Sequence, residues 1–238
     1  MNKNNYTGFE IIDETNNYFV INKFKNILVH SDGKDTSINI VDQLRDKINV
    51  SEFDDQIRPG VFQRLDKQTS GLMLIAKNKK TYDYFQNATL NKTLVKSYLA
   101  IVHNRINETR MLLKLPLERV KDISKFKVSS THNAKMSITE VIVLENYQYS
   151  ALVECILHTG RTHQVRVHLS YIKHPIFNDL LYGKDDNYGK DYGQFLFSHK
   201  IIFTDIEDNK VKEYKIQPDA TFTALLEKLR NCKIIKVD

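Results

Sequence analysis

The chain has 238 residues, enough for one large domain or two small ones, and 41% of them are apolar, which argues against a mostly disordered chain. Lys and Arg number 35 against 29 Asp and Glu, and the net charge of +6 favours an anionic partner without requiring one. Cys155 and Cys232 show no CxxC spacing, which argues against a zinc ribbon or a disulfide framework, and the N-terminus lacks the apolar core of a secretory signal, so a soluble, cytoplasmic protein is expected.

After a polar start over residues 1–8, residues 18–22 and 26–30 carry strand formers and predict two strands. Ile38, Val41, Leu44 and Ile48 recur at helical spacing behind Thr36 or Ser37 as a cap, which predicts a helix. Residues 61–65 and 72–76 are short, apolar and rich in strand formers, and they flank a polar turn running from Asp66 to Gly71. Tyr82, Phe85 and Ala88, with Leu90 beyond, predict a second helix, and residues 95–102 return to a strand pattern. Lys114, Arg119, Lys121, Lys125 and Lys127 crowd a stretch of little periodicity, expected to be an exposed basic arm.

Residues 136–144 alternate and residues 151–157 are apolar apart from Glu154, which predicts a hairpin around Tyr147. Val165, Leu169 and Ile172 predict a helix capped by Thr162 and ended before Pro175, with His163, Arg166 and Ser170 on one polar face. Gly183, Gly189 and Gly193 mark a loop, followed by a strand over residues 195–203 and a closing helix over 222–229. The sum is one α+β unit with strands in the majority, without internal repeats or an obvious linker.

Two runs carry chemistry. In Gln63-Arg64-Leu65-Asp66-Lys67-Gln68-Thr69-Ser70-Gly71, a carboxylate on a tight loop beside an arginine can serve as a nucleophile or base, because a nearby cation keeps it ionised. The same pattern also describes a loop aspartate that satisfies its own turn amides. In the run from Leu157 to Leu169, Arg161 and Arg166 at a loop-to-helix junction can hold a phosphate or fix a carboxylate. His158, His163 and His168 stand five apart, which turns His163 and His168 in different directions on a helix, so no metal site is expected.

The string RLDKQTSGLMLIAKN resembles the motif HRLDxxTSGLLL of the RluA-type pseudouridine synthases, and TGRTHQVRVHLSYIKHPIFNDLLYG resembles that family's TGRTHQIRVHLxxxGHPIxGDxLYG. Lys96-Ser97-Tyr98-Leu99-Ala100 looks like the family's KxYxA strand, and Ala134 with Thr139 fits the lead-in to the next one. The opening YFVINKFKNILVH is similar to the family's first strands, so the resemblance runs from about Phe9 to Arg230.

The resemblance implies the pseudouridine synthase fold: a mixed, mostly antiparallel central sheet with flanking helices and an RNA-binding cleft. It implies a polar tail over residues 1–8 and one catalytic domain over 9–238, with no separate N-terminal RNA-binding module. Asp66 becomes the catalytic aspartate, Arg166 the cation that orients it, and Tyr98 the aromatic that packs on the target base and accepts a proton late in the reaction. Arg64 enters the RNA beside the extruded nucleotide, and Leu169 lies beneath the base. Thr69, Arg161 and His163 are assigned to substrate binding, the last two as supports of the loop.

The implied reaction breaks the glycosidic bond of a uridine, rotates the uracil and rejoins it through carbon 5. It needs no redox step, so no cofactor is expected. A base within a helix must be flipped out first, at a cost of a few kcal/mol. The expected partner is structured RNA, ribosomal or transfer, with no membrane, no obligatory protein partner and a monomeric state. Four positions depart from the family pattern: Gln63 replaces its histidine, Phe24 a proline, His103 a glycine and Asn178 a glycine. Gln63 bears on loop geometry or RNA selection more than on the reaction. The rival readings are a non-catalytic RNA-binding or ribosome-assembly protein on the same fold, and a metal-dependent hydrolase using the histidine-rich run.

Overall fold

Residues 6–31, 37–121, 125–189 and 191–232 are described in a computed structural model of the chain. Their strands and α-helices are, in chain order, β1 (Phe9–Glu14), β2 (Tyr18–Lys23), α1 (Ile40–Leu44), β3 (Ser70–Ala76), α2 (Lys79–Leu90), β4 (Val95–His103), β5 (Arg110–Lys114), β6 (Leu117–Arg119), β7 (Phe126–Val128), β8 (Ile138–Asn146), β9 (Ser150–Leu157), α3 (Gln164–Tyr171), β10 (Leu196–Thr204), β11 (Val211–Lys215) and α4 (Ala220–Asn231). The chain divides into two compact units, residues 1–94 with 200–216 and residues 95–199 with 217–238.

In the first unit the strand order is β1-β2-β3-β10, with β11 on β10, and the pairs β1–β2, β2–β3 and β10–β11 are antiparallel. Alternate residues of β2 and β3 meet α2 in a core of Tyr18, Val20, Leu72, Leu74, Phe85, Leu94, Ile201 and Phe203. The Tyr18 ring meets Phe85 and Phe203 edge-on, each at 5.5 Å between centroids, a geometry that adds to simple area burial. Asn78 starts α2 by accepting the Thr81 N–H at 2.9 Å, and the apolar face that follows explains the predicted helix.

Two predicted strands of this unit take other forms. Residues 26–30 are turn and bend, with Asn26 at φ 65; Ile27 and Val29 are buried, but the carbonyls of Leu28 and Val29 accept the N–H groups that open α1. Asn39, rather than Ser37, caps that helix, and Thr36 lies outside the described residues. Residues 61–65 are also irregular, because the chain before them is pinned to the end of β3. Gly60, at φ +74, accepts the Ala76 N–H at 3.0 Å, and a Cβ there would stand 2.1 Å from the Ala76 carbonyl oxygen. Val61 and Leu65 therefore supply buried apolar area without joining a ladder, which is why periodicity misread them.

In the second unit the order is β10-β4-β9-β8-β5, and β4–β9, β8–β9 and β5–β8 are antiparallel. The predicted hairpin around Tyr147 is β8–β9. The basic stretch is not a bare arm: β6 and β7 pair with each other, Leu117 opposite Val128, while Lys114, Arg119, Lys121 and Lys127 remain exposed. α4 begins at Asp219, whose carboxylate accepts the Phe222 N–H at 3.0 Å, and Phe222 packs against Phe195 and Phe197. The strand and helix predicted near the C-terminus correspond to β10 and α4, and the three glycines upstream lie in a loop. Cys155 on β9 is buried and Cys232 is exposed.

His168 on α3 is fully buried. Nε2 meets the Leu115 carbonyl oxygen at 3.2 Å and so carries the proton, while Nδ1 is buried without a hydrogen-bond partner among the described residues. Burial pushes its pKa down to about 4, the Leu115 carbonyl opposing. The unfolded chain binds this proton near the ordinary value of 6.5 and the folded chain does not, so stability is lost as pH falls from 6.5 to about 4. We predict that thermal melts record a decline approaching about 3 kcal/mol across that window. His168→Gln flattens that part of the profile, and an unchanged profile would refute the assignment.

Candidate functional site

The sequence-predicted residues fall into two groups: Arg64, Asp66 and Thr69 in the first unit, and Tyr98, Arg161, His163, Arg166 and Leu169 in the second.

The loop of Asp66 is built on Lys23. This residue closes β2 with its side chain fully buried, and its Nζ donates to the carbonyls of Phe24 at 3.0 Å, Lys67 at 3.0 Å and Thr69 at 2.8 Å. An ammonium has three N–H donors, and here each meets a carbonyl. Lys25 Nζ donates to the Gln68 carbonyl at 2.9 Å, and the Asn26 N–H donates to that of Lys67 at 2.8 Å. The Thr69 N–H closes the turn on the Asp66 carbonyl at 2.9 Å. The loop's carbonyls are thus drawn toward the end of β2, with the Asp66 residue half-buried, Arg64 exposed and Thr69 buried. Burial pushes the Lys23 pKa down to about 7; Lys25 adds to the effect and Asp66 opposes it. Gln63, where the resembled family has histidine, has its Nε2 buried without a hydrogen-bond partner among the described residues.

In the second unit β4 carries Tyr98, which is 7% exposed, and α3 carries Arg166 and Leu169, both buried. Arg166 grips Asp179 with two parallel bonds, Nε to Oδ2 at 2.7 Å and Nη2 to Oδ1 at 2.8 Å. Asp179 Oδ1 also accepts the N–H groups of Leu181 and Tyr182, each at 3.1 Å, which folds the chain back so that Tyr182 reaches α3. The predicted polar face of α3 meets this one tyrosine. His163 Nδ1 lies 2.8 Å from its hydroxyl, the Arg166 guanidinium 5.1 Å from its ring centroid, and Ser170 Oγ donates to its carbonyl at 2.6 Å.

The Tyr182 hydroxyl also accepts the Phe126 N–H at 2.8 Å, so this one oxygen joins the start of β7 to the His163 ring. Phe126 opens β7, and the basic β6–β7 pair is thereby fastened to the start of α3. That start is capped differently from expectation: His163, not Thr162, is the N-cap, in the left-handed region at φ 57 and ψ 16. Gln164 does the work expected of Thr162, its Oε1 accepting from Thr159 Oγ1 and the Arg161 N–H, and its Nε2 donating to the Ile138 carbonyl and Thr139 Oγ1. Arg161 is exposed.

The three histidines of the run have three separate partners: His158 meets Glu140, His163 Tyr182 and His168 Leu115. Two departures from the resembled pattern also belong together. Asn178 stands at φ 56, where glycine is favoured and asparagine is the usual substitute, and its Oδ1 accepts the Asp186 N–H at 3.1 Å. Asp186 Oδ2 in turn accepts the Asn178 N–H and meets His103 Nε2 at 3.0 Å, and the His103 ring stacks on Phe177 at 4.0 Å. Sequence reasoning gave no role to Lys23, Asp179 or Tyr182. Asp179 and Tyr182 lie within the second family-like string, and Lys23 reads only as a lysine ending an apolar strand.

Residues 17–171 match the family model described as RNA pseudouridylate synthase. The chain is 36% identical over 229 residues to an uncharacterized RNA pseudouridine synthase of Mycoplasma pneumoniae, covering 94% of this chain and 71% of that one. It is 34% identical over 208 residues to the ribosomal large subunit pseudouridine synthase D of Borreliella burgdorferi, covering 86% and 63%. Among solved structures, the human RNA pseudouridylate synthase domain containing 4 superposes with a TM-score of 0.72 at 24% identity over 92% of each chain, which shows the shared fold.

Two variants test this bracing. Lys23→Met takes the ammonium from the Phe24 and Thr69 carbonyls and one of two donors from that of Lys67, and is predicted to lower stability by about 2 kcal/mol, with faster amide exchange at Thr69. Tyr182→Phe removes the acceptor of the Phe126 N–H; exchange at that amide is predicted to rise about tenfold while the melting temperature drops by only a few degrees. Exchange unchanged in both variants would show that neither side chain braces its loop.

Proposed function

The chain belongs to the RNA pseudouridylate synthase family and isomerises uridine to pseudouridine in RNA, and we propose that Asp66 is the carboxylate that does so. The observation that carries this reading is the Lys23-braced turn, which fixes the backbone on both sides of Asp66 while leaving its residue partly open to solvent. Isomerisation consumes no oxidant and adds no group. An ionised carboxylate at the sugar, a hold on the freed uracil and removal of one proton from carbon 5 complete it.

In this reading Arg166 supports the Asp66 charge, and Tyr98 packs on the base and takes the late proton. Leu169 lies beneath the base, Arg64 fills the space left by the everted nucleotide, and Thr69, Arg161 and His163 position the RNA. The exposed lysines and arginine around β5–β7 bind phosphates, giving affinity that falls with salt and carries little sequence information. Residues 9–238 act as the catalytic domain, as a monomer in the cytoplasm. The substrate is ribosomal or transfer RNA, and the relative named for the large ribosomal subunit supports the former. Among the described residues no helix is long and apolar enough to cross a membrane.

The test is to incubate the purified protein with total RNA from cells lacking it and to map new pseudouridines, with Asp66→Asn as the control. The wild type is expected to restore one or a few sites and the variant none, a loss of at least a thousandfold in rate. Equal modification by both proteins would remove Asp66 from this role, and RNA binding with unchanged uridine in both would favour a non-catalytic RNA-binding protein.

A further inference from the structure

Lys96 is a buried cation with no anion beside it among the described residues. It sits on β4, 5% exposed, two residues before Tyr98 and therefore on the same face of the strand. Among the described residues no hydrogen-bond acceptor or carboxylate is paired with its ammonium, in contrast to Lys23 with its three carbonyls. Desolvation pushes its pKa down to about 8. An ammonium so largely withdrawn from water carries a desolvation cost, which an anion reaching it would offset.

The geometry shows where that ligand would enter. The Lys96 Nζ lies against Gly160, where a Cβ would meet it at 3.6 Å. Gly160 is exposed and leads through Arg161, also exposed, into the first turn of α3. A missing side chain, a buried ammonium beneath it, a second cation beside it and the positive end of an eight-residue helix beyond form one concentration of positive potential. Thr159 Oγ1 and the Arg161 N–H are already spent on Gln164, so the turn itself is held rigid around the gap.

We propose that Lys96, under Gly160, binds a phosphate group of the RNA backbone next to the target uridine. This rests on the synthase reading above, which places the base at Tyr98, one side chain along the same face. Lys96 is thereby a substrate-binding residue, and Gly160 stays free of a side chain to admit the phosphate.

The experiment uses the full-length protein, wild type and Lys96→Met, Lys96→Arg and Gly160→Asp, with affinity for a uridine-containing RNA hairpin measured across a salt series. Lys96→Met is expected to weaken binding about tenfold and to lower the slope of log affinity against log salt by about 0.7 to 0.9, the loss of one phosphate contact. Lys96→Arg restores most of both. Gly160 does not adopt a left-handed backbone and the space above it is ordinary contact distance, so Gly160→Asp folds even where Lys96→Met does not. Its carboxylate pairs with the ammonium, and it is expected to raise the melting temperature while weakening RNA binding at least tenfold.

An unchanged salt slope in Lys96→Met, or undiminished binding by Gly160→Asp, overturns the proposal. So does inorganic phosphate stabilising the wild type through Lys96 while the RNA slope stays fixed, since the site then serves a free anion. Because binding is read without reference to product, a wild type that makes no pseudouridine yet shows these slopes removes the synthase reading and leaves the phosphate site standing.

Discussion

The second unit is organised by one buried ion pair, Arg166 with Asp179. Both groups are withdrawn from water, and their two parallel bonds are the arrangement in which a guanidinium and a carboxylate best compensate that withdrawal. The loop beyond α3 takes its course from this pair. Asp179 uses its remaining acceptor capacity on two backbone N–H groups and so turns the loop; the turned loop delivers Tyr182; and Tyr182 collects His163, Ser170 and the first residue of β7. Removing either charge would strand the other in the interior, which makes the pair costly to lose even where it adds little net stability.

The described residues contain three buried cations met in three ways. Arg166 has a carboxylate, Lys23 has a ring of carbonyls, and Lys96 has neither. The first two solutions position backbone: one fixes the loop after α3, the other the turn that bears Asp66. Carbonyls suit Lys23 because an ammonium can spread three donors over three loop residues, which a bidentate carboxylate could not do. The third case leaves an ammonium with no partner among the described residues, its pKa lowered by burial to about 8.

Much of this was legible in the sequence. Long periodic segments gave α2, α3, α4, β4 and the β8–β9 hairpin, because in each the apolar spacing coincides with the face that is buried. Residues 26–30 and 61–65 were misread because their apolar side chains are buried by irregular backbone, and burial alone does not distinguish a ladder from a turn held by Gly60. The small strands β5 to β7 were hidden because they are only three to five residues long and Leu117 is the one buried side chain among them, so their pairing leaves little periodic trace. Asp66, Tyr98 and Arg166, whose roles stand as proposals, were singled out through motif resemblance. Asp179, Tyr182 and Lys23 were not, since their importance lies in partners distant in sequence.

The backbone of His163 has a further consequence. A φ of 57 is uncommon for any residue with a Cβ, though histidine takes it more readily than most, and glycine would relieve the crowding there by up to about 1 kcal/mol. The chain keeps an imidazole at that point, with Nδ1 within hydrogen-bond distance of the Tyr182 hydroxyl. Glycine at this junction would ease the backbone at the expense of the ring's contact with Tyr182, the residue that ties α3 to β7.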